Sequence, residues 1–126
     1  MTDEKIQEYI NILKNPKYEI IVRNTEKNRI TRDMLTITLQ DQISIIRKLT
    51  VQDFVRNKEN PQPDERKNEV GLVWFFKKRA FDKDFYIKTK VIDNHEIIVA
   101  MSCHIDNIEF EDDYNLYLDN DSMIYG

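Results

Sequence analysis

The chain has 126 residues, of which 40% are apolar and 33% charged, with a formal net charge of −4; that is the makeup of one globular domain with room for a single sheet and a few helices. No stretch approaches the roughly 20 apolar residues of a membrane helix, and the acidic, polar start "MTDEKIQEYI" is unlike the basic-then-apolar order of a signal peptide, so a soluble, cytoplasmic protein is expected. A lone cysteine, Cys103, has no disulfide partner and lacks the Cys/His company that a zinc site needs.

Ile6, Tyr9, Ile10 and Leu13 recur at helical spacing until Pro16 interrupts them, which predicts a helix over 3–14. "YEIIVR", 18–23, reads as a short strand. The polar "NTEKNRITRD" that follows has no clear period and is expected to be loop with at most a helical turn. Thr38 precedes Leu39, Ile43, Ile46 and Leu49, and Asp41 stands at the acidic position of a capping box, so a second helix is predicted over 39–49. Thr50 opens one more turn that ends near Arg56. "NKENPQPDERKNE", with two prolines and no apolar side chain to anchor it, is expected to be an exposed loop.

Three β-rich runs come next, "VGLVWFFKK", "DFYIKTKVI" and "HEIIVAMSC", separated by short polar turns; they predict an antiparallel meander. The expected architecture is therefore α+β, with N-terminal helices packed on one face of a small antiparallel sheet of about four strands and the other face left open. On the middle run Phe85, Ile87 and Val91 share one face, and Tyr86, Lys88 and Lys90 share the other. A half-buried hairpin has no need of that second row, which raises the prospect of a nucleic-acid site.

Charge is unevenly spread. Residues 105–126 hold seven acidic side chains and no Lys or Arg, while positions 47–90 hold 12 basic residues against seven acidic ones. Basic charge concentrated in one part of a domain suits phosphate binding, although a solvated surface is the better account of most of these lysines.

The order of elements, "QDF" with a basic residue after it, the "VWFFKK" and "YIKTKV" strands and the terminal Ser-x-His resemble the motility quorum-sensing regulator toxins, within the RelE-like group of bacterial mRNA interferases. The resemblance covers roughly residues 5–105. It implies a RelE-like fold in a toxin domain over 1–108, an endoribonuclease that cuts mRNA without metal or cofactor, and silencing by a cognate antitoxin encoded beside it. Carried across by position, it points to Arg56, Tyr86 with its neighbour Lys88, and His104. A glutamine of that family on the first meander strand is replaced near Trp74 to Phe76; if that glutamine orients RNA, the resemblance implies a different means of orienting it here.

The residues support the same chemistry on their own terms. Metal-free RNA cleavage needs a proton acceptor for the ribose 2′-OH, a donor for the departing 5′-oxygen and cations around the phosphate, and leaves a 2′,3′-cyclic phosphate. His104 is the best titrating candidate; Tyr86 suits hydrogen bonding or base stacking; Arg56 and Lys88 suit phosphate oxygens; Lys58, Lys77 and Lys90 are candidate RNA contacts. Nothing in the sequence suggests a metal cluster, a glycine-rich phosphate loop or a serine–histidine–acid triad. Each residue also has a plainer reading: His104 as a structural histidine, His95 as a solvated turn residue, Tyr86 as an ordinary sheet-face tyrosine, Trp74, Phe75 and Phe76 as core, Cys103 as a small buried side chain. The rival function is a non-catalytic binding protein on a toxin-like scaffold, such as a phage or mobile-element inhibitor.

Register decides between these readings. A two-residue turn at Asp93 and Asn94 pairs Tyr86 with Met101 and sends His104 to the opposite face; a three-residue turn, or a bulge of the same effect, brings His104 beside Tyr86 and Lys88. The tail, 109–126, mixes its acids with Phe110, Tyr114, Leu116, Tyr117 and Leu118. It is either a solubilising end or a segment that folds back on the basic body.

Overall fold

Helix α1, Asp3–Lys14, starts where the Thr2 side chain accepts from the Lys5 N–H and turns Ile6, Tyr9, Ile10 and Leu13 inward. Strand β1, Glu19–Val22, follows the break at Pro16. The Arg47 guanidinium donates to the carbonyls of Leu13, Asn15 and Tyr18 at 2.9, 2.8 and 2.7 Å, tying down the connection between them. This computed structural model describes residues 1–56, 60–63 and 71–105, so the candidate Lys58 and the tail lie outside the described residues.

The stretch expected to be loop is a full helix, α2, Glu26–Leu35, capped by Thr25 and closed by Thr36 in the left-handed region. It showed no apolar period because part of its inward face is polar: Asn28 and Thr31 are fully buried beside Ile30. Helix α3, Leu39–Arg47, begins with the predicted capping box, in which Asp41 accepts from the Thr38 N–H at 2.8 Å and the Thr38 hydroxyl from the Asp41 N–H at 3.1 Å. A 3₁₀ turn over Val51–Asp53 leads into Phe54, which packs in the core.

Part of the predicted exposed loop is ordered by a polar anchor. Asn60, 5% exposed, donates to the carbonyls of Val55 and Phe75 and accepts from the Phe75 N–H, so its amide stands in for a strand neighbour. It holds strand β2, Gln62–Pro63, against strand β3, Leu72–Ala80. Strands β4, Lys83–Ile92, and β5, Ile97–Ile105, complete the meander. Sheet order is β1-β5-β4-β3-β2, with β1 parallel to β5 and the other neighbours antiparallel. The fold is α+β, as expected, but the described residues form three helices and a five-stranded mixed sheet rather than about four antiparallel strands.

One sheet face carries the core. Phe76, Phe85, Ile87, Ile98, Cys103 and Ile105 meet Ile6, Ile10, Leu13, Ile46 and Leu49 of the helices. Each large side chain buried there contributes about 1.5–3 kcal/mol relative to exposure. Tyr9 stacks on Trp74 at 4.1 Å between ring centroids, and its hydroxyl meets Thr89 Oγ1 at 2.8 Å. Phe75, expected in the core, lies half-buried on the far face, because strand alternation separates it from Trp74 and Phe76. No helix among the described residues is long and apolar enough to cross a membrane.

Candidate functional site on the far face of the sheet

The connection from β4 to β5 is longer than either turn considered from sequence. Asp93–His95 form a 3₁₀ turn, Glu96 follows at φ 52°, and Ile92 stands opposite Ile97. Regular pairing from that point would set Tyr86 against Cys103 and turn His104 into the core. A bulge prevents it: Thr89 pairs with Ala100 but Lys88 with Ser102, leaving Met101 as the extra residue. Beyond the bulge Tyr86 pairs with His104, so both side chains stand on the far face with Lys88 and Ser102.

The ring centroids of Tyr86 and His104 are 5.6 Å apart with 33° between the planes. Phe75 lies 6.2 Å from Tyr86 on the other side, and Lys88 Nζ sits 5.7 Å from the Phe75 centroid. His104 is 5% exposed, and its Nδ1 lies 2.9 Å from the Ile105 carbonyl. A carbonyl only accepts, so Nδ1 donates there and Nε2 is the basic nitrogen of the neutral ring. Burial raises the Tyr86 phenol above its ordinary value, which keeps it a proton donor at neutral pH.

Helix α2 supplies the site's second wall. Beyond Ala100, β5 has no strand neighbour on its outer edge among the described residues, since β1 pairs with residues 97–100. Side chains replace the missing strand: Asn28 accepts from the Cys103 N–H at 2.9 Å, Gln42 donates to the Cys103 carbonyl at 2.8 Å, and Thr31 accepts from the Ile105 N–H at 3.4 Å. Arg32 in turn donates to Gln42 at 2.8 Å. This clamp sets Thr25, Glu26 and Lys27 at the rim of a cavity of about 380 Å³, whose other walls include Phe75, Lys88, Ser102 and His104 of the sheet and Gln62 and Pro63 of β2. The volume falls in the range of small-ligand sites.

Of the sequence candidates, Tyr86, Lys88 and His104 come together here. Arg56 does not line the cavity; it pairs with Asp3 at the start of α1. Lys77 is exposed across from Tyr86, and Lys90 is fully buried on the same face. His95 is exposed in its turn. Cys103 is buried in the core, its thiol pushed up to about 12 by that burial, which suits a packing residue and not a nucleophile. Phe75, Gln62 and the start of α2 were missed from sequence; Thr25 as a capping threonine was the one readable signal. Among the described residues no three His, Cys, Asp or Glu side chains gather to hold a metal ion.

The arrangement offers the His104 imidazole and the Lys88 ammonium along one wall of the cavity, with the protonated Tyr86 phenol beside the imidazole on the same sheet face, a set able to move protons and to hold a phosphate. No protein-family model, no curated protein and no solved structure matches the chain.

Proposed function

We propose that the far face is the site of a metal-independent endoribonuclease, and that the chain is the toxin of a toxin–antitoxin pair held in check by a cognate antitoxin. The observation that carries the reading is the pairing of Tyr86 with His104 through the Met101 bulge, with Lys88 beside them. His104 Nε2 takes the proton of the ribose 2′-OH. The 2′-oxygen forms its bond to phosphorus as the bond to the 5′-oxygen breaks, and Tyr86 protonates that leaving oxygen. Lys88 offsets the charge that builds on the phosphoryl oxygens. The products are a 2′,3′-cyclic phosphate and a free 5′-hydroxyl; water then restores the proton balance between imidazolium and phenolate. The open wall of the cavity and the aromatic Phe75 suit a single-stranded RNA whose bases stack on side chains.

The test is cleavage of a defined RNA in EDTA by the wild type and by Tyr86→Phe and His104→Ala. The reading expects cutting that both changes reduce by two orders of magnitude or more. A second reading, a binding protein on a toxin-like scaffold, is favoured by one feature: His104 is held by its own strand carbonyl and nearly withdrawn from water. RNA bound without cleavage would support it.

A further inference from the structure

Side chains on the far face stand in rows across the strands. Phe75, Lys88 and Ser102 form one row of the ladder, Lys77, Tyr86 and His104 the next, and Arg79 with Asp84 the row beyond. The cavity of about 380 Å³ takes in the whole first row but only the His104 end of the second; neither Tyr86 nor Lys77 lines it. A separate cavity of about 330 Å³ opens at the other end, where Lys77, Lys78 and Arg79 line it with Asp53 and Asp84. The reacting row therefore joins two cavities, with Tyr86 between them.

We propose that the sheet holds RNA in one direction: the nucleotide on the 5′ side of the cleaved bond sets its base in the first cavity against Phe75, and the chain leaves on the 3′ side over Tyr86, with its next phosphate in the second cavity on Lys77 and Arg79. This rests on the ribonuclease reading for which group is base and which is acid, and goes beyond it by fixing strand polarity and adding a phosphate subsite. In attack by a 2′-OH, the proton acceptor lies beside the nucleotide that keeps the cyclic phosphate, and the proton donor beside the one that leaves with a 5′-hydroxyl. His104 lines the first cavity, so the former nucleotide belongs there. Tyr86 stands between His104 and Lys77, so the latter runs on toward Lys77; two inter-strand spacings, ~10 Å, separate the ends of that row. The second cavity suits an anion, with three cationic side chains against two carboxylates. Lys78 Nζ lies 3.4 Å from Asp53, while Arg79 donates to Asp84 at 3.1 Å and to the Asp82 carbonyl at 3.0 Å. Those two bonds use two of the five N–H donors of a guanidinium and fix its plane, so the fork is set in place before a phosphate arrives.

Two measurements test this. The first uses a dinucleotide taken from the preferred cleavage site, with one phosphate added at its 3′ end or at its 5′ end. The 3′-phosphate is expected to raise kcat/KM by about ten-fold or more and the 5′-phosphate by less than about three-fold, since only the former reaches a cationic subsite. Lys77→Ala and Arg79→Ala should each remove most of the 3′ gain, and Lys77→Arg should keep it. A larger gain from the 5′-phosphate, or a 3′ gain that survives both alanine changes, overturns the proposal. The second measurement does not depend on cleavage. A short RNA methylated at every 2′-oxygen carries a photoreactive thiouridine at one end or the other, and the residue it attaches to is located by mass spectrometry. The 5′ end is expected to attach in β5 or at the start of α2, and the 3′ end within residues 77–84; the reverse order, the same site from both ends, or attachment at neither place overturns the proposal. If the wild type cuts no RNA, the ribonuclease reading fails and the crosslinks alone decide the direction.

Discussion

Tyr86 and His104 face each other across β4 and β5, 5.6 Å between ring centroids, because Met101 is bulged out of the ladder between them and the hairpin end. The one-residue bulge compensates for the four-residue connection at 93–96: with that connection and the extra residue kept in the ladder, regular pairing would turn His104 into the core. Deleting Met101 therefore restores regular pairing without moving His104 to the other face, since the residue removed is the extra one. The deletion variant is expected to keep RNA cleavage within a few-fold of wild type while losing about 1–3 kcal/mol of stability with the buried methionine. Inserting one alanine after Ser102 should instead invert His104 and abolish cleavage; equal activity of the two variants contradicts this account of register.

Asn28 holds three partners at once, donating to the carbonyls of Arg23 and Met101 and accepting from the Cys103 N–H. Asn28→Ala leaves buried backbone groups without partners, at about 1–3 kcal/mol each. Urea unfolding is expected to show a loss of about 2–4 kcal/mol, and hydrogen exchange should show faster exchange at Cys103 than at Ile87 in the middle of the sheet. Asn28→Asp keeps the acceptor but sets a buried carboxylate oxygen against the two carbonyls that accepted from the amide, so it should cost at least as much as alanine.

The two-residue turn from β3 to β4 places Phe81 at φ 52° and Asp82 at φ 60°. Aspartate tolerates that region; phenylalanine does not, at a cost of about 1–2 kcal/mol. Phe81 is also half-exposed, so little packing is lost on changing it. Phe81→Asn or Phe81→Gly is expected to stabilise the protein by about 1 kcal/mol, read as a rise in Tm of a few degrees. A fall in Tm would mean that the ring packs against something that outweighs the strain.

Cys103 binds its proton more tightly in the folded chain, where burial pushes the thiol up to about 12, than in the unfolded chain, where it titrates near 8.5. A raised folded value adds stability that is fully present below the unfolded one and is lost as pH rises toward the folded one. Unfolding free energy is expected to fall from about pH 9 toward pH 12, with a slope from this thiol of at most ~1.4 kcal/mol per pH unit. Cys103→Ala should flatten that part of the curve. An identical slope in the variant would assign the alkaline loss to other groups.

Much of the fold was legible in the sequence because it is written in periodicity and capping. Helix α1 matches its predicted span, and Thr38 with Asp41 announced α3. Helix α2 was not legible, since Asn28 and Thr31 face inward to bond the β5 edge and so break the apolar pattern that marks an amphipathic helix. Asn60 hid β2 in the same way, by anchoring a loop with an amide where a hydrophobic residue was sought. For the site, the row of Tyr86 and Lys88 could be read from strand alternation, but the bulge that brings His104 to it could not, because nothing local to Met101 distinguishes an extra residue from a paired one. Arg56 was placed by position along the chain, and its partner Asp3 comes from the far end of the sequence.

The measurement that bears most directly on the central claim is the product analysis of RNA incubated with the protein in EDTA. The account predicts fragments ending in 2′,3′-cyclic phosphate with free 5′-hydroxyls from the wild type, and rates lower by two orders of magnitude or more in His104→Ala and Tyr86→Phe, each folded with the wild-type Tm within a few degrees. Intact RNA after prolonged incubation, or cleavage that survives both substitutions, would contradict it.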